Sequence, residues 1–245
     1  MMKRPPLKQP TMARGFSLLE VMVVVLLMTI LIGSVLSMIT VTQQRARAEQ
    51  VKVDIFQEAR EFADQFVRDL HQAGYPSARM FDTSGWSPAL ASPATGDSRI
   101  AVGITKIAAN EITFEGDVDG DGNVHTVDYV LQTTGNNCPC LQRSDNLKSG
   151  TAVLSNDVQN VQSAGTTADP IFIGYTSSGT TVTSADMTTA AGKIALATIK
   201  TVQFTLKVKS PVVDTQTLVA PETTLGGQVT IGNCSLAATG QTNSC

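Results

Sequence analysis

From Asp117 to Asp128 the chain reads DVDGDGNVHTVD, with acids at the first, third, fifth and twelfth places, glycine at the sixth and an amide at the seventh. Alternate carboxylates in a turn set several oxygens around one point, which is how a hard divalent cation is held. Gly122 permits the sharp turn, and the spacing is that of a calcium loop. Asp117, Asp119, Asp121, Asn123 and Asp128 are the candidate ligands, with calcium the candidate ion. The flanks read as strands rather than helices, and the last ligand is Asp rather than Glu. A solvated hairpin turn is therefore the other reading, since Asp-Gly is favoured there anyway.

Other reactive side chains are few. Cys138, Cys140, Cys234 and Cys245 all fall in the C-terminal half. An even cysteine count behind an export-type N-terminus fits an oxidising compartment and up to two disulfides. Three connectivities are open. A bond between Cys234 and Cys245 is the expected one, leaving Cys138 and Cys140 as a tight local pair or as two thiols. A metal site is the rival reading, but Cys138-Pro139-Cys140 has a shorter spacing than zinc motifs use, and no Cys-rich or His-rich segment accompanies it. His71 and His125 are the only histidines. Neither has a Ser, Cys or acidic partner at motif spacing, so both are expected at the surface. With no nucleophile elbow, phosphate-binding glycine loop or zinc motif, no catalytic role is expected.

Glu20 is the remaining oddity. Residues 21–39 read VMVVVLLMTILIGSVLSMI, long enough to cross a hydrocarbon core of about 30 Å as a helix. Lys3, Arg4, Lys8 and Arg14 precede it, which keeps the leader cytoplasmic and sends the C-terminus out. An ordinary cleaved signal peptide fits less well. The apolar stretch exceeds a typical h-region, and it runs into Gln43, Gln44, Arg45 and Arg47 with no A-x-A-like site. The polar break comes ahead of the apolar run, at Arg14-Gly15. An acid at the start of a membrane helix is costly in lipid and requires a partner. A chain beginning at Phe16 supplies one, because its ammonium lies one turn from Glu20 on the same or a neighbouring helix.

A long helix must carry these residues. Ile55, Phe56, Ala59, Phe62, Ala63, Phe66, Val67 and Leu70 recur at spacings of three and four. Lys52, Asp54, Glu58, Arg60, Glu61, Asp64, Arg68 and Asp69 take the intervening, polar positions. No Pro or Gly interrupts residues 35–73, and Gly74 with Pro76 supplies a stop. A helix over residues 16–73 would be roughly 87 Å long, with Gly33-Ser34 as its soft point.

Beyond Tyr75 the period changes to two. Residues 201–209 alternate Val202, Phe204, Leu206 and Val208 with polar neighbours, and Pro211 closes the run. Ile112 with Phe114, and Val127 with Tyr129 and Leu131, mark two more strands; 100–107, 171–175 and 228–231 are further candidates. Ser177-Ser178-Gly179 reads as a hairpin turn, and 163–169 and 176–189 as surface loops. The expected fold is α+β, a long N-terminal helix packed on an antiparallel β-sheet domain. Removing the leader's four cations from a formal charge of −3 leaves −7 on the rest. That mildly acidic body, with no Lys/Arg cluster, argues against a broad nucleic-acid footprint.

Arg14-Gly15-Phe16-Ser17-Leu18-Leu19-Glu20 followed by the apolar run resembles the class III signal of type IV prepilins and type II secretion pseudopilins. The resemblance implies cleavage after Gly15 by a membrane prepilin peptidase, N-methylation of Phe16, and a role for Glu20 in bringing subunits into register. It also implies a type IV pilin-like organisation: a leader over 1–15, a transmembrane or filament-core helix over 16–41, its amphipathic continuation over 42–74, and an exported β-rich domain over 75–245. The mid-helix proline common in major pilins is missing. Residues 56–60 and 68–75, together with 112–117, 156–158 and the strand near 204, look most like PilW-type minor pilins. Such a protein is expected in the bacterial inner membrane and then in a surface pilus. Its expected partners are a major pilin, other minor pilins, the inner-membrane assembly platform and a tip adhesin. A GspJ-like pseudopilin is similar in the same segments, and a surface- or DNA-capturing pilin is the binding-class alternative.

Overall fold

The uninterrupted helical pattern is realised as one α-helix, α1 (Leu18–Gln72), which Gly74 (φ 83°) brings to a close. The structure is a computed structural model that describes residues 17–77, 98–135, 138–148, 150–151, 153–213 and 218–232. The chain divides into two compact units, Met1–Arg47 and Ala48–Cys245. The helical residues from Ala48 onward thus belong with the β-rich part. Gly33-Ser34 does not interrupt the helix.

In the first unit the apolar side chains from Leu18 to Val41 are exposed. The stretch is long and apolar enough to cross a membrane. Its polar side chains are compatible with that. The hydroxyls of Thr29, Ser34, Thr40 and Thr42 donate back to carbonyls three or four residues earlier. These four hydroxyls are therefore satisfied within the helix, as a hydrocarbon environment requires.

Among the described residues the second unit carries ten strands: β1 (Ile104–Ala108), β2 (Glu111–Gly116), β3 (His125–Gln132), β4 (Cys140–Leu147), β5 (Ser155–Val158), β6 (Phe172–Thr176), β7 (Thr181–Val182), β8 (Ala185–Asp186), β9 (Ile199–Lys209) and β10 (Glu222–Thr230). A short helix, α2 (Ala190–Thr198), is capped by Thr189, whose Oγ1 accepts from Gly192 N. The strands form two antiparallel sheets rather than the single sheet expected: β5-β4-β3-β2-β1-β8 and β10-β9-β6-β7. The α+β arrangement, with its long apolar N-terminal helix, is consistent with a type IV pilin-like fold.

The helix residues in this unit seal both sheets. Ile55, Ala59, Phe62, Phe66 and Leu70 are buried. The Phe66 ring lies 5.2 Å from Tyr129 on β3, 5.5 Å from Phe172 on β6 and 5.2 Å from Phe204 on β9. Phe62 stands 5.7 Å from both Tyr129 and Phe204, edge to face, an arrangement that adds to simple burial. The helix end is stitched to the first sheet. Gly74 N donates to Glu115 O and Asp117 N to Tyr75 O, each at 2.8 Å. Gly116 allows this approach, since a Cβ there would stand 2.4 Å from the Gln72 carbonyl oxygen.

Candidate functional site

Among the described residues, two places gather the chemistry: the first turn of α1 and the ground between α1 and the β2–β3 loop. Ser17 starts the helix by accepting from Glu20 N and Val21 N at 2.9 and 3.2 Å. Glu20 thus sits in the first turn, where the unpaired N–H groups and the helix dipole favour an anion. It is the sole charged residue between position 16 and Arg45. Gly15 and Phe16, the expected cleavage and methylation sites, lie outside the described residues, as do Cys234 and Cys245.

The second place starts from Asp69. Its position was expected to be polar, yet only 1% of the side chain is exposed. Residues 62, 66, 69 and 73 lie on one stripe, so helical geometry turns Asp69 inward with the phenylalanines. Its Oδ1 accepts from Gln65 Nε2 at 2.6 Å, and its Oδ2 accepts from Tyr129 Oη and Arg143 Nε, each at 2.8 Å. Burial pushes the Tyr129 phenol well above its ordinary pKa, and the Asp69 charge adds to this. Tyr129 is therefore a fixed proton donor. Arg143 continues outward, its Nη2 donating to Asp145 Oδ2 at 2.9 Å. Asp145 Oδ1 in turn faces His125 Nδ1 at 2.7 Å.

His125 thus departs from the surface placement expected of it: 12% of its side chain is exposed. Its Nε2 is buried, has no hydrogen-bond partner among the described residues, and points at Asp119 Oδ2 (3.6 Å) and Asp121 Oδ1 (4.0 Å). His71, by contrast, is exposed.

The β2–β3 loop is a hairpin connection with Gly120 and Gly122 at positive φ. Asp117 is buried and organises it, Oδ1 accepting from Gly120 N at 2.8 Å and Oδ2 from Gly122 N at 3.1 Å. Asp119 Oδ1 accepts from Asp121 N at 3.2 Å, and Asp121 Oδ1 from Asn123 N at 2.7 Å. Hydrogen bonds from the Asn123 side chain and backbone hold the Asp121 carboxyl below its ordinary pKa. Beneath the loop Glu115 pairs with Lys148 at 2.8 Å in a buried position and also accepts from Val102 N.

Of the five expected calcium ligands, Asp119 and Asp121 are brought together. Asp128 stands in β3 opposite Thr113, whose hydroxyl donates to it at 2.9 Å, and burial raises its carboxyl pKa. Asn123 Nδ2 donates to Asp121 Oδ2 at 2.7 Å. The group that does converge is Asp119, Asp121 and His125, with ligand atoms within 4.8 Å of one another. Cys138 and Cys140 are joined as a disulfide. Asp145 and Arg143 carried no motif, and only the charge at an apolar register of α1 pointed toward them.

Residues 11–36 match the family model described as the prokaryotic N-terminal methylation motif. No curated protein matches the chain.

Proposed function

We propose, on the premise that this motif ahead of an apolar helix makes the chain a membrane-anchored, prepilin-like protein, that it is a minor pilin. Proteins of the type IV pilin family are structural rather than catalytic. In this reading a prepilin peptidase removes residues 1–15 and Phe16 is N-methylated. The inner-membrane assembly platform then draws the helix into a filament that reaches the cell surface, with other minor pilins, the major pilin and a tip adhesin as neighbours. The subunit starts or caps the filament.

The observation that carries the proposal is Glu20, an acid at the head of an apolar helix within the matched segment. In lipid or in a filament core that carboxylate needs a cation. The ammonium of a chain starting at Phe16, one turn away, is the nearest that the sequence can offer. The β-rich unit supports the reading by its architecture alone.

The experiment is Glu20→Leu. The variant is expected to be cleaved and stable in the membrane but depleted from sheared filaments. An ammonium buried without its partner costs several kcal/mol, on the order of 3 to 5. Equal incorporation of variant and wild type would contradict the proposal. Recovery in a secretion pseudopilus instead of a surface pilus would favour the GspJ-like alternative.

A further inference from the structure

The Asp-His cluster of the β2–β3 loop and the start of β3 lies outside the segment matched by the methylation motif, and it has a chemistry of its own. Asp145 presents an acceptor to His125 Nδ1 at 2.7 Å, so that nitrogen carries the hydrogen. The lone pair of a neutral ring is then on Nε2, buried and facing two carboxylates at 3.6 and 4.0 Å. Such a contact is repulsive unless something positive lies between. A proton on Nε2 would make a charge-assisted hydrogen bond, whose length is about 2.7–2.9 Å. The observed gaps are wider than that. They approach the separation of neighbouring ligand atoms around a tetrahedral ion, about 3.3–3.6 Å for bonds of about 2.0–2.2 Å.

The donor set selects the ion. Calcium takes six to eight oxygens, whereas the group that converges here includes an imidazole nitrogen, and Asp128 is held by Thr113. That group is one imidazole and two carboxylates, whose oxygens also accept from Asp121 N and from Asn123 N and Nδ2, and it is a set suited to zinc-class ions. The His125 Nδ1–H to Asp145 contact is the outer support that metal-bound histidines use to fix ring and tautomer. Asp119 and Asp121 are 49% and 43% exposed, so an ion reaches them from solvent. We propose that Asp119, Asp121 and His125 form a binding site for a divalent transition ion of the zinc class, with Asp145 as the positioning residue. The fourth tetrahedral position is open to water. Arg143 links Asp145 to Asp69, so the site is tied to the helix core.

The test is calorimetric titration of the full-length, metal-stripped chain in detergent, purified without a histidine tag, using zinc chloride and, separately, calcium chloride. One equivalent of zinc is expected, bound at least tenfold more tightly than calcium. Asp145→Asn should weaken zinc binding about 10- to 100-fold without removing a ligand. His125→Gln should weaken it further. Because His125 is buried, the exposed double variant Asp119→Asn, Asp121→Asn serves as the fold-neutral check, with circular dichroism to show an unchanged fold. Its zinc affinity should fall at least 100-fold. No zinc binding by the wild type, unchanged affinity in the double variant, or tighter binding of calcium than zinc would overturn the proposal.

Discussion

Arg143 and Asp69 meet at 2.8 Å across 74 residues of sequence, and each breaks the pattern of its own element. Asp69 puts a charge on the apolar stripe of α1. Arg143 puts one opposite Tyr129 on the helix-facing side of β4. Asp69 is buried and Arg143 partly buried, each tolerated there because the other is present.

Removing one partner should therefore cost more than removing both. Arg143→Leu leaves the Asp69 carboxylate buried without its cation, a loss of about 3 kcal/mol, the low end of the range because Arg143 is partly solvated. The pair Asp69→Leu, Arg143→Met should cost less than the single variant, since matched apolar replacement of a buried ion pair is often neutral and what remains is the Tyr129 hydroxyl without its acceptor, about 1–2 kcal/mol. Urea unfolding followed by circular dichroism measures both. A single variant within 1 kcal/mol of wild type, or a double variant worse than the single, would contradict the pairing.

Gly116 fixes how closely the helix end approaches β2. Gly116→Ala places a methyl 2.4 Å from the Gln72 carbonyl oxygen, and the backbone must move, at a cost of about 1–3 kcal/mol. Gly226→Ala is the control, because its nearest contact would be an ordinary 3.4 Å. Thermal melting should separate the two; equal melting temperatures would mean that the close approach is unimportant.

Asp157 predicts a pH dependence. Its Oδ2 is buried without a hydrogen-bond partner among the described residues. Burial raises its carboxyl pKa, Arg143 opposes this, and Asp69, Glu58 and Glu61 reinforce it. The folded chain thus holds this proton more tightly than the unfolded one. The group's contribution is fully present below the unfolded value of about 3.9 and is lost as pH rises through the higher folded value. Asp157→Asn should be more stable than wild type at pH 7 by about 1 kcal/mol, a low figure because partial solvation screens the charge. The advantage should shrink toward pH 4. A difference independent of pH would refute the assignment.

With Cys138 bonded to Cys140, the only further disulfide open within one chain joins the remaining two of its four cysteines. Non-reducing peptide mapping should find Cys234 joined to Cys245. A peptide linking either of them to Cys138 or Cys140 would exclude that pairing.

The sequence showed the elements that carry strong periodicity. The helix from Leu18 to Gln72, the hairpin of β2 and β3, and the core of β9 follow directly from spacings of three to four and of two. β4 was hidden because Gln142, Arg143, Ser144, Asp145 and Asn146 are polar on both faces, and its inward charge makes sense only beside Asp69. β10 was read short because Gly226-Gly227 lies mid-strand, where Phe204 fills the space that a Cβ at Gly227 would need. β7, β8 and α2 were missed for a related reason: short elements in Ser/Thr/Ala-rich sequence get their stability from tertiary pairing rather than local pattern, and the same long-range pairing divides the strands into two sheets. The loop acids were legible as a cluster. Their partner His125 was not, because Asp145 comes to it from a neighbouring strand 20 residues on.

Everything proposed for the N-terminus depends on one covalent event, cleavage between Gly15 and Phe16. The direct measurement is the mass of the N-terminal peptide of the chain extracted from membranes of a host that contains a prepilin peptidase. The expected peptide begins at Phe16 and carries one added methyl group, and Gly15→Ala should leave most of the chain uncleaved. A mature chain beginning at any other residue would contradict the assignment.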